Sequence, residues 1–358
     1  MNILTVIGAR PQFIKAAPLC RALRRHHREV LVHTGQHYDH AMSAQFFSEM
    51  GIPEPDHNLN VGSGSHAAQT GAMLVKLEAV LVKERPDAVV IFGDTNSTLA
   101  GSLAAAKLGI PIAHIEAGMR SFNRAMPEEI NRVLSDHIAS YHFCSTAVAV
   151  ANLKREGIRT GIFMVGDIMA DALRLLLPPP RAVAKVLGRR GVEPRGYVFA
   201  TIHRAENTDH QRNLAAIAGA MAECGWPVIF PVHPRTVARL KQYGLYDRLA
   251  KRGQVRLVSP VGYGESLALQ SQARAVLTDS GGLQKEAYLL RTPCVTARAE
   301  TEWVETVRAG WNTVVGPDAG RIIRALATAR RPARHPLLYG DGHAAERIVR
   351  GLERSVGR

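Results

Sequence analysis

Three acidic side chains stand at or just beyond the ends of apolar, β-branched runs in the first half of the sequence. They are Asp94 in FGDTNST, Glu116 in HIEAGMRS, and Glu128 or Glu129 in MPEEINR. Carboxylates that follow buried strands, with apolar or small neighbours, favour general acid/base chemistry over a solubilising role. The alternatives are local: Asp94 could cap a helix over TNSTLAG, and Glu128 could be a first-turn residue after a proline.

Two glycine-containing loops are suited to bind an anion. Gly8 and Arg10 lie between a strand and an apolar helix, where a helix N-terminus and a permanent charge suit a nucleotide, although a glycine can also serve packing alone. In residues 278–286, Ser280 can cap the next helix, and two glycines let backbone N–H groups approach a diphosphate. Glu286 could accept both hydroxyls of a ribose. An ordinary capped turn and an exposed helix glutamate are the alternatives.

Two histidines lie at strand ends in the second half of the sequence. They are His203 in ATIHRAEN and His233 in FPVHPR, each followed within two residues by an arginine, Arg204 and Arg235. The pairs indicate phosphate contacts or proton transfer, with a structural histidine as the alternative. The sequence lacks an HxxxH or His/carboxylate spacing around them, so we predict no metal site.

These residues need a scaffold that brings strand ends together. Short β-branched runs alternate with helix-length segments in both halves, which predicts an α/β fold with parallel sheets covered by helices on both faces. A triple proline near residue 178 marks the division. We predict Rossmann-like domains over 1–170 and 171–342, with a helix over 343–358 that packs back on the first. Two doubly wound domains that face each other would place a ligand in a central cleft.

Composition narrows the functional class. The chain of 358 residues, 46% hydrophobic, is long enough for two cores. Four cysteines without CxxC spacing predict neither a zinc site nor a disulfide framework, and they indicate the cytoplasm. The first apolar run is too short for a signal peptide, and we expect no membrane span. The net charge of +14 comes mainly from scattered arginines without interleaved aromatic residues, so we predict no nucleic-acid or membrane partner.

The ordered motifs resemble those of the UDP-N-acetylglucosamine 2-epimerase family, whose fold is similar to that of GT-B glycosyltransferases. The resemblance extends over nearly the whole chain, through GARPQFIKAAP, GQHYD, GDTNSTLAG, HIEAGMRS, MPEEINR, HRAEN, HPR and DSGGLQKEA. It implies that Asp94, Glu116 and Glu128 are acid/base carboxylates and that His203 is a further active-site group. The substrate-binding set that we assign comprises Arg10, Lys15, Arg120, Arg124, His233, Ser280, Gly281, Gly282 and Glu286.

The activity implied by the resemblance is inversion at C2 of the sugar. The C2 proton is not flanked by a carbonyl, so UDP must be eliminated from C1 as the proton is removed, which gives a 2-acetamidoglucal. Re-protonation on the opposite face and recapture of UDP require acid/base groups on both faces and a firm hold on the diphosphate. Burial and like charges can tune carboxylates for this role. We expect no cofactor. The resemblance also implies a homodimer and a product used for surface polysaccharide.

Two departures from the family pattern bear on regulation and substrate. Asp39 and Ala68 stand where the simple-substrate bacterial enzymes have a glutamine and an arginine that belong to an activating site, which argues against allosteric activation by substrate. The segment between Arg120 and Pro127 is short, as in the UDP-2,3-diacetamido-2,3-dideoxyglucuronate 2-epimerases. Arg124 in this segment could pair with a C6 carboxylate, a pyrophosphate oxygen or a neighbouring glutamate.

Several functions remain open from the sequence. A non-hydrolysing epimerase of UDP-N-acetylglucosamine, giving UDP-N-acetylmannosamine, is the first hypothesis, and a 2-epimerase of the diacetamido uronate is the second. A hydrolysing epimerase could begin with the same carboxylates, and a GT-B glycosyltransferase shares the nucleotide site. A nucleic-acid-binding module would leave the polar loops without a purpose.

Overall fold

The chain forms two compact units in the computed structural model, which describes residues 1–36, 47, 50–251 and 253–356. The first unit is Met1–Leu175 with Leu337–Arg358, and the second is Leu176–Pro336. The expected boundary at 170/171 falls inside the helix Ile168–Leu176, and the observed division lies at the end of that helix, between Leu175 and Leu176. His37, Tyr38 and Asp39 of the GQHYD motif lie outside the described residues.

The described part of the first unit contains a parallel sheet of seven strands. Every strand pair in it is parallel, and the order is β3-β2-β1-β4-β5-β6-β7. Because the chain moves outward from β1 first to one side and then to the other, loops after β1 and β4 meet at a topological switch point. The strands are β1 Asn2–Ile7, β2 Arg28–His33, β3 His57–Asn58, β4 Ala88–Phe92, β5 Ile112–Ile115, β6 Tyr141–Cys144 and β7 Ile162–Met164.

Helices of the first unit cover this sheet because its strands are apolar on both faces. Alternate residues such as Leu4 and Val6 pack in one core cluster with Met73 and Ala104, which lie on two neighbouring helices. The helices are α1 Arg10–Leu23, α2 His66–Glu84, α3 Asn96–Lys107, α4 Pro127–Ile138, α5 Ala147–Arg155 and α6 Ile168–Leu176. The loops between strands and helices carry the polar motifs.

The second unit repeats this design with a parallel sheet of six strands in the order β10-β9-β8-β11-β12-β13. Val198 and Ala200 pack in one core cluster, whereas Tyr197 and Phe199 pack in another, so the sheet is buried on both faces. The strands are β8 Val198–Thr201, β9 Val228–Pro231, β10 Val255–Val258, β11 Ala275–Thr278, β12 Cys294–Thr296 and β13 Asn312–Val314.

The helices of the second unit follow its strands in the same alternation. They are α7 Pro180–Arg190, α8 Ala205–Thr208, α9 Gln211–Glu223, α10 Pro234–Gln242, α11 Tyr246–Lys251, α12 Tyr263–Gln272, α13 Gly281–Leu289, α14 Val304–Arg308 and α15 Ala319–Thr328. Within the part of the chain that the structure describes, no helix has both the length and the apolar composition needed to cross a membrane.

The last helix, α16 Ala344–Val356, returns to the first unit. Asp171 of α6 caps it, since its carboxylate accepts the backbone N–H groups of Ala344 and Ala345 at 3.0 and 2.9 Å. Gly351 lies so close to β6 that a Cβ atom would stand 2.6 Å from Cε1 of Phe143. The absence of a side chain at this position therefore sets how closely α16 approaches the sheet.

Gly351→Ala is expected to destabilise the first unit by about 1–3 kcal/mol, because the added methyl group overpacks the contact with Phe143. Gly188→Ala in α7 is the matched control, since a Cβ there would meet no atom within 4 Å. The free energy of unfolding of the control should rise by about 0.5–1 kcal/mol, because alanine has a higher helix propensity than glycine. Urea unfolding of both variants measures the two effects. Equal midpoints for Gly351→Ala and the wild-type protein would contradict the close approach.

Candidate active site

A buried glutamine joins the two loops at the switch point of the first sheet. The Gln12 side-chain oxygen accepts the backbone N–H groups of Gly8 at 2.8 Å and Ala9 at 3.1 Å, and its Nε2 donates to the Phe92 carbonyl at 3.0 Å. A Cβ at Gly8 would lie 2.1 Å from the hydroxyl oxygen of Ser97, so glycine is required there. Loop packing thus fixes the start of α1, where Arg10 is exposed at the first position.

Asp94 follows β4 and forms an ion pair with Arg132 of α4. Thr95, not Asp94, caps α3: its hydroxyl accepts the N–H of Thr98 at 3.3 Å. The helix-cap alternative for Asp94 is therefore wrong, and its carboxylate is held by a cation instead. Its side chain is 34% exposed, which leaves it accessible to a ligand.

Glu116 follows β5 in a left-handed backbone conformation, with φ of +66°. A residue other than glycine in this region is strained and is held there by its surroundings. Lys15 of α1 forms an ion pair with the Glu116 carboxylate, and both side chains are largely buried. A Cβ at Gly93 would lie 3.4 Å from Oε2 of Glu116, so this carboxylate reaches the loop that carries Asp94.

The structure separates the roles of the two glutamates in MPEEINR. Glu129 is buried and accepts the backbone N–H groups of Ser121 and Phe122 at 2.8 and 2.9 Å. Burial alone would raise the pKa of Glu129, but these hydrogen bonds and the Arg132 charge lower it below its usual value. Glu128 is exposed in the first turn of α4, one turn before Arg132. Glu129 therefore shapes a loop, and Glu128 is the accessible carboxylate.

The two arginines assigned to substrate binding in the short segment have different environments. Arg120 has a 1% exposed side chain and pairs with Asp136 and Glu156, both at 2.6 Å. Burial would lower its pKa, but these carboxylates raise it above the usual value. Arg124 is exposed and makes no ion pair with any described residue. The structure thus gives Arg120 a structural role and leaves Arg124 accessible.

A buried carboxylate organises the polar loop after β8 in the second unit. Asp279, which follows β11, accepts the backbone N–H groups of His203 at 3.1 Å and Arg204 at 3.0 Å. It also accepts Nδ2 of Asn207 at 3.0 Å. Burial lowers the pKa of His203 below its ordinary value, as do the nearby charges of Arg204 and His233, although Asp279 opposes them. The His203 ring is therefore biased toward its neutral form.

The N-terminus of α13 has the features of an anion site. Ser280 occupies the N-cap position, but its side chain makes no capping hydrogen bond, so the expected hydroxyl cap is not formed. The first-turn N–H groups, including those of Gly281 and Gly282, have no intrahelical partner. A Cβ at Gly281 would lie 3.5 Å from Oε2 of Glu302, 3.6 Å from Nε1 of Trp303 and 3.9 Å from a guanidinium nitrogen of Arg204. A carboxylate and an arginine therefore both lie beside this helix terminus.

Glu286 is buried in α13 and held by two side chains. Its carboxylate accepts the Tyr263 hydroxyl at 3.1 Å and Nε2 of Gln270 at 2.9 Å. The alternative of an exposed helix glutamate is therefore wrong. His233 is exposed at the N-cap of α10, where its Nδ1 accepts the N–H of Arg235 at 3.2 Å. The Arg235 guanidinium forms an ion pair with Asp209 of the second unit at 2.5 Å.

Three side chains that organise these loops were not among the predicted site residues. They are Gln12, Arg132 and Asp279. Each lies inside a quoted motif, but its partner lies on a distant segment, so spacing alone carries no signal for it. Among the residues that the structure describes, no group of three or more histidine, cysteine or acidic side chains is placed to hold a metal ion.

Comparison with known proteins identifies the family. A family model described as UDP-N-acetylglucosamine 2-epimerase matches residues 21–353. A "UDP-N-acetylglucosamine 2-epimerase homolog" of Methanococcus maripaludis is 51% identical over 98% of this chain and 99% of its own. The UDP-2,3-diacetamido-2,3-dideoxy-D-glucuronate 2-epimerase of Pseudomonas aeruginosa is 46% identical, again over 98% and 99%.

Solved structures agree with this assignment. The UDP-GlcNAc 2-epimerase of Methanocaldococcus jannaschii, solved in complex with UDP-GlcNAc and UDP, has a TM-score of 0.86 and 43% identity, covering 99% of this chain and 100% of that one. The predicted α/β class with two Rossmann-like, GT-B-like units is confirmed. The chain belongs to the UDP-N-acetylglucosamine 2-epimerase family and, as a UDP-sugar 2-epimerase, is an isomerase.

Proposed function

We propose that the protein is a non-hydrolysing epimerase that converts UDP-N-acetylglucosamine into UDP-N-acetylmannosamine. The observation that carries this proposal is the pairing of Asp94 with Arg132 and of Glu116 with Lys15, at the carboxyl ends of adjacent parallel strands. Two oriented carboxylates on neighbouring loops provide acid/base groups within reach of a single sugar ring. Glu128 supplies a third carboxylate from the first turn of α4.

The reaction begins with loss of the C2 proton to a carboxylate as the C1–O bond breaks and UDP departs. The product of this step is a 2-acetamidoglucal. A protonated carboxylic acid then returns a proton to C2 on the opposite face, and a diphosphate oxygen of UDP attacks C1. Lys15 and Arg132 fix the orientation of Glu116 and Asp94 through both steps, so that only the proton positions change.

The second unit holds UDP while it is detached from the sugar. The N-terminus of α13, with Ser280, Gly281 and Gly282, binds the diphosphate through backbone N–H groups. Glu286 accepts the ribose hydroxyls, and its bonds to Tyr263 and Gln270 keep it oriented. Further contacts to the UDP-sugar come from four other members of the predicted set. They are Arg10, Lys15, His203 and His233.

A 2-epimerase of a diacetamido uronate is the second candidate function. The exposed Arg124 favours it, because a guanidinium can form two parallel hydrogen bonds with a C6 carboxylate. The 46% identical Pseudomonas aeruginosa relative is named for this substrate class. Two relatives named for UDP-N-acetylglucosamine are 44% and 43% identical, and the one named as a homolog of that enzyme is 51% identical, so identity alone does not separate the two substrates.

We also propose that the enzyme works in the cytoplasm as a homodimer. All four cysteines are buried free thiols, and burial raises their pKa above the usual value, which disfavours the reactive thiolate. Light scattering during gel filtration measures the oligomeric state directly.

Incubation with UDP-N-acetylglucosamine in D₂O tests the reaction. We expect deuterium at C2 of both sugar nucleotides and no stoichiometric release of free sugar, because UDP is retained and recaptured. Mass spectrometry and NMR of the products measure both. Accumulation of free N-acetylmannosamine with UDP would instead assign the protein to hydrolysing epimerases.

Asp94→Asn and Glu116→Gln are each expected to lower kcat by about 10²–10⁴-fold, because an amide cannot exchange the C2 proton. Glu78→Gln, at an exposed position on α2, is the matched control and should retain wild-type kcat. Steady-state kinetics with deuterium wash-in at C2 measure the losses. Turnover within a few-fold of wild type in both active-site variants would contradict the elimination mechanism.

Arg124→Ala separates the two substrate candidates. With UDP-N-acetylglucosamine as the substrate, we expect kcat/KM to change by less than about threefold, because a charge-assisted contact to the uronate carboxylate is not used. Arg159→Ala, also exposed in the first unit, is the control. If the wild type instead prefers the diacetamido uronate, and Arg124→Ala removes about 1.5–3 kcal/mol of that preference, the second candidate is correct.

A further inference from the structure

A buried carboxylate that the proposed reaction does not use lies behind both catalytic loops. Asp136 of α4 is 1% exposed and accepts three hydrogen bonds. They come from the His114 ring at 2.7 Å, the backbone N–H of Gly118 at 3.0 Å and the Arg120 guanidinium at 2.6 Å. Burial alone would raise the pKa of Asp136, but His114 and Arg120 lower it below the usual value. The carboxylate is therefore held ionised in the interior.

The hydrogen bonds of Asp136 lead to both loops that carry proposed catalytic carboxylates. The other ring nitrogen of His114, Nε2, lies 2.7 Å from the carbonyl oxygen of Gly93, the residue that precedes Asp94. Gly118 lies two residues after Glu116. One buried group thus contacts the loop of Glu116 directly and the loop of Asp94 through the histidine ring.

Both loops need external support because their backbones are unusual. Gly93, Glu116 and Gly118 have φ values of +62°, +66° and +77°. The conformation at Glu116 is strained for a residue with a Cβ atom and persists only where neighbouring contacts fix it. Asp136 supplies such a contact at Gly118.

The hydrogen bonds of His114 require a proton on each ring nitrogen. A neutral imidazole has a single N–H, so one nitrogen would direct a lone pair at an acceptor oxygen. The imidazolium form donates to the carboxylate of Asp136 and to the carbonyl of Gly93. With this proton, the two cations, His114 and Arg120, balance the two carboxylates, Asp136 and Glu156.

Two further histidines face this cluster. His142 directs Nε2 at the backbone carbonyl of Asp136 at 2.7 Å, and burial lowers its pKa below the ordinary value. His142 therefore adds no permanent charge. His137 is exposed, and its Nε2 lies 3.4 Å from Oε2 of Glu156, the oxygen that also accepts a hydrogen bond from Arg120. The charge balance inside the cluster is thus set by the four groups named above.

We propose that Asp136 and His114 are positioning residues for the epimerase reaction, with His114 held as a buried imidazolium that ties the loop of Asp94 to the loop of Glu116. The proposal rests on the function proposed above. The two residues touch neither substrate nor UDP. They fix the separation of the two carboxylates, so their loss should lower kcat and leave UDP binding intact, since UDP is held by the second unit.

Asp136→Asn and His114→Gln test the proposal. We expect kcat to fall by about 10²-fold in Asp136→Asn, because misplacement of a catalytic group by about 1 Å has an effect of this size. His114→Gln should lower kcat by about tenfold or more, because a glutamine amide cannot donate to both the Asp136 carboxylate and the Gly93 carbonyl. KM, and the Kd of UDP measured by calorimetry, should stay within about threefold of wild type. Glu78→Gln, at an exposed position on α2 outside the cluster, is the control and should retain kcat.

NMR of the full-length protein supplies a readout that a merely structural role would not move. Histidine ring ¹⁵N–¹H spectra of the wild type should show two N–H groups for one histidine, and His114→Gln should abolish that signal. A singly protonated His114, or folded variants with wild-type kcat, would overturn the proposal. An equal loss of UDP affinity would also overturn it, because the effect would then be general. If Asp136→Asn does not fold, His114→Gln and the spectrum decide.

Failure of the proposed function has a different signature. A wild-type protein that epimerises neither sugar nucleotide would refute the function. The imidazolium signal and its loss in His114→Gln would still be measured in that case, and they would establish or exclude the buried charged link without reference to turnover.

Discussion

Parallel strand pairing is the constraint on which the rest of the structure depends. In each unit the strands run in one direction, so the loops that follow them emerge at the same edge of the sheet. Residues far apart in sequence, such as Gln12 and Thr98, are joined there by side-chain hydrogen bonds. The sheet thus brings the backbones of these loops together. A functional site at this edge then requires only that a few polar side chains be oriented.

In both units a buried aspartate fixes the loops at this edge, because its carboxylate accepts hydrogen bonds from backbone N–H groups. Asp136 supports Gly118 in the first unit, and Asp279 supports His203 and Arg204 in the second. An unpaired carboxylate in these positions would be costly, but each is surrounded by donors, so its charge binds the loop to the sheet. The loops that carry the proposed catalytic and nucleotide-binding side chains are therefore fixed at the backbone.

Sequence patterns predicted the fold class because strand and helix periods are local properties. Asp94 and Glu116 could likewise be selected from their places after apolar runs. The choice between Glu128 and Glu129 could not be made in this way, because it depends on which face of α4 meets the preceding loop. Arg120 could not be recognised as structural either, since its partners lie 16 and 36 residues away. Tertiary contacts of this kind have no signature in spacing.

The short segment after Arg120 shows how such contacts can hold a loop in place. Its start is anchored by the ion pairs of Arg120, and the backbone at Ser121 and Phe122 is held by Glu129. The tip that carries Arg124 is exposed, yet its base is fixed by buried carboxylates. A side chain presented from an anchored loop loses less conformational freedom when it binds than one on an unrestrained loop. The contact that the second candidate function assigns to Arg124 would therefore form at a small entropic cost.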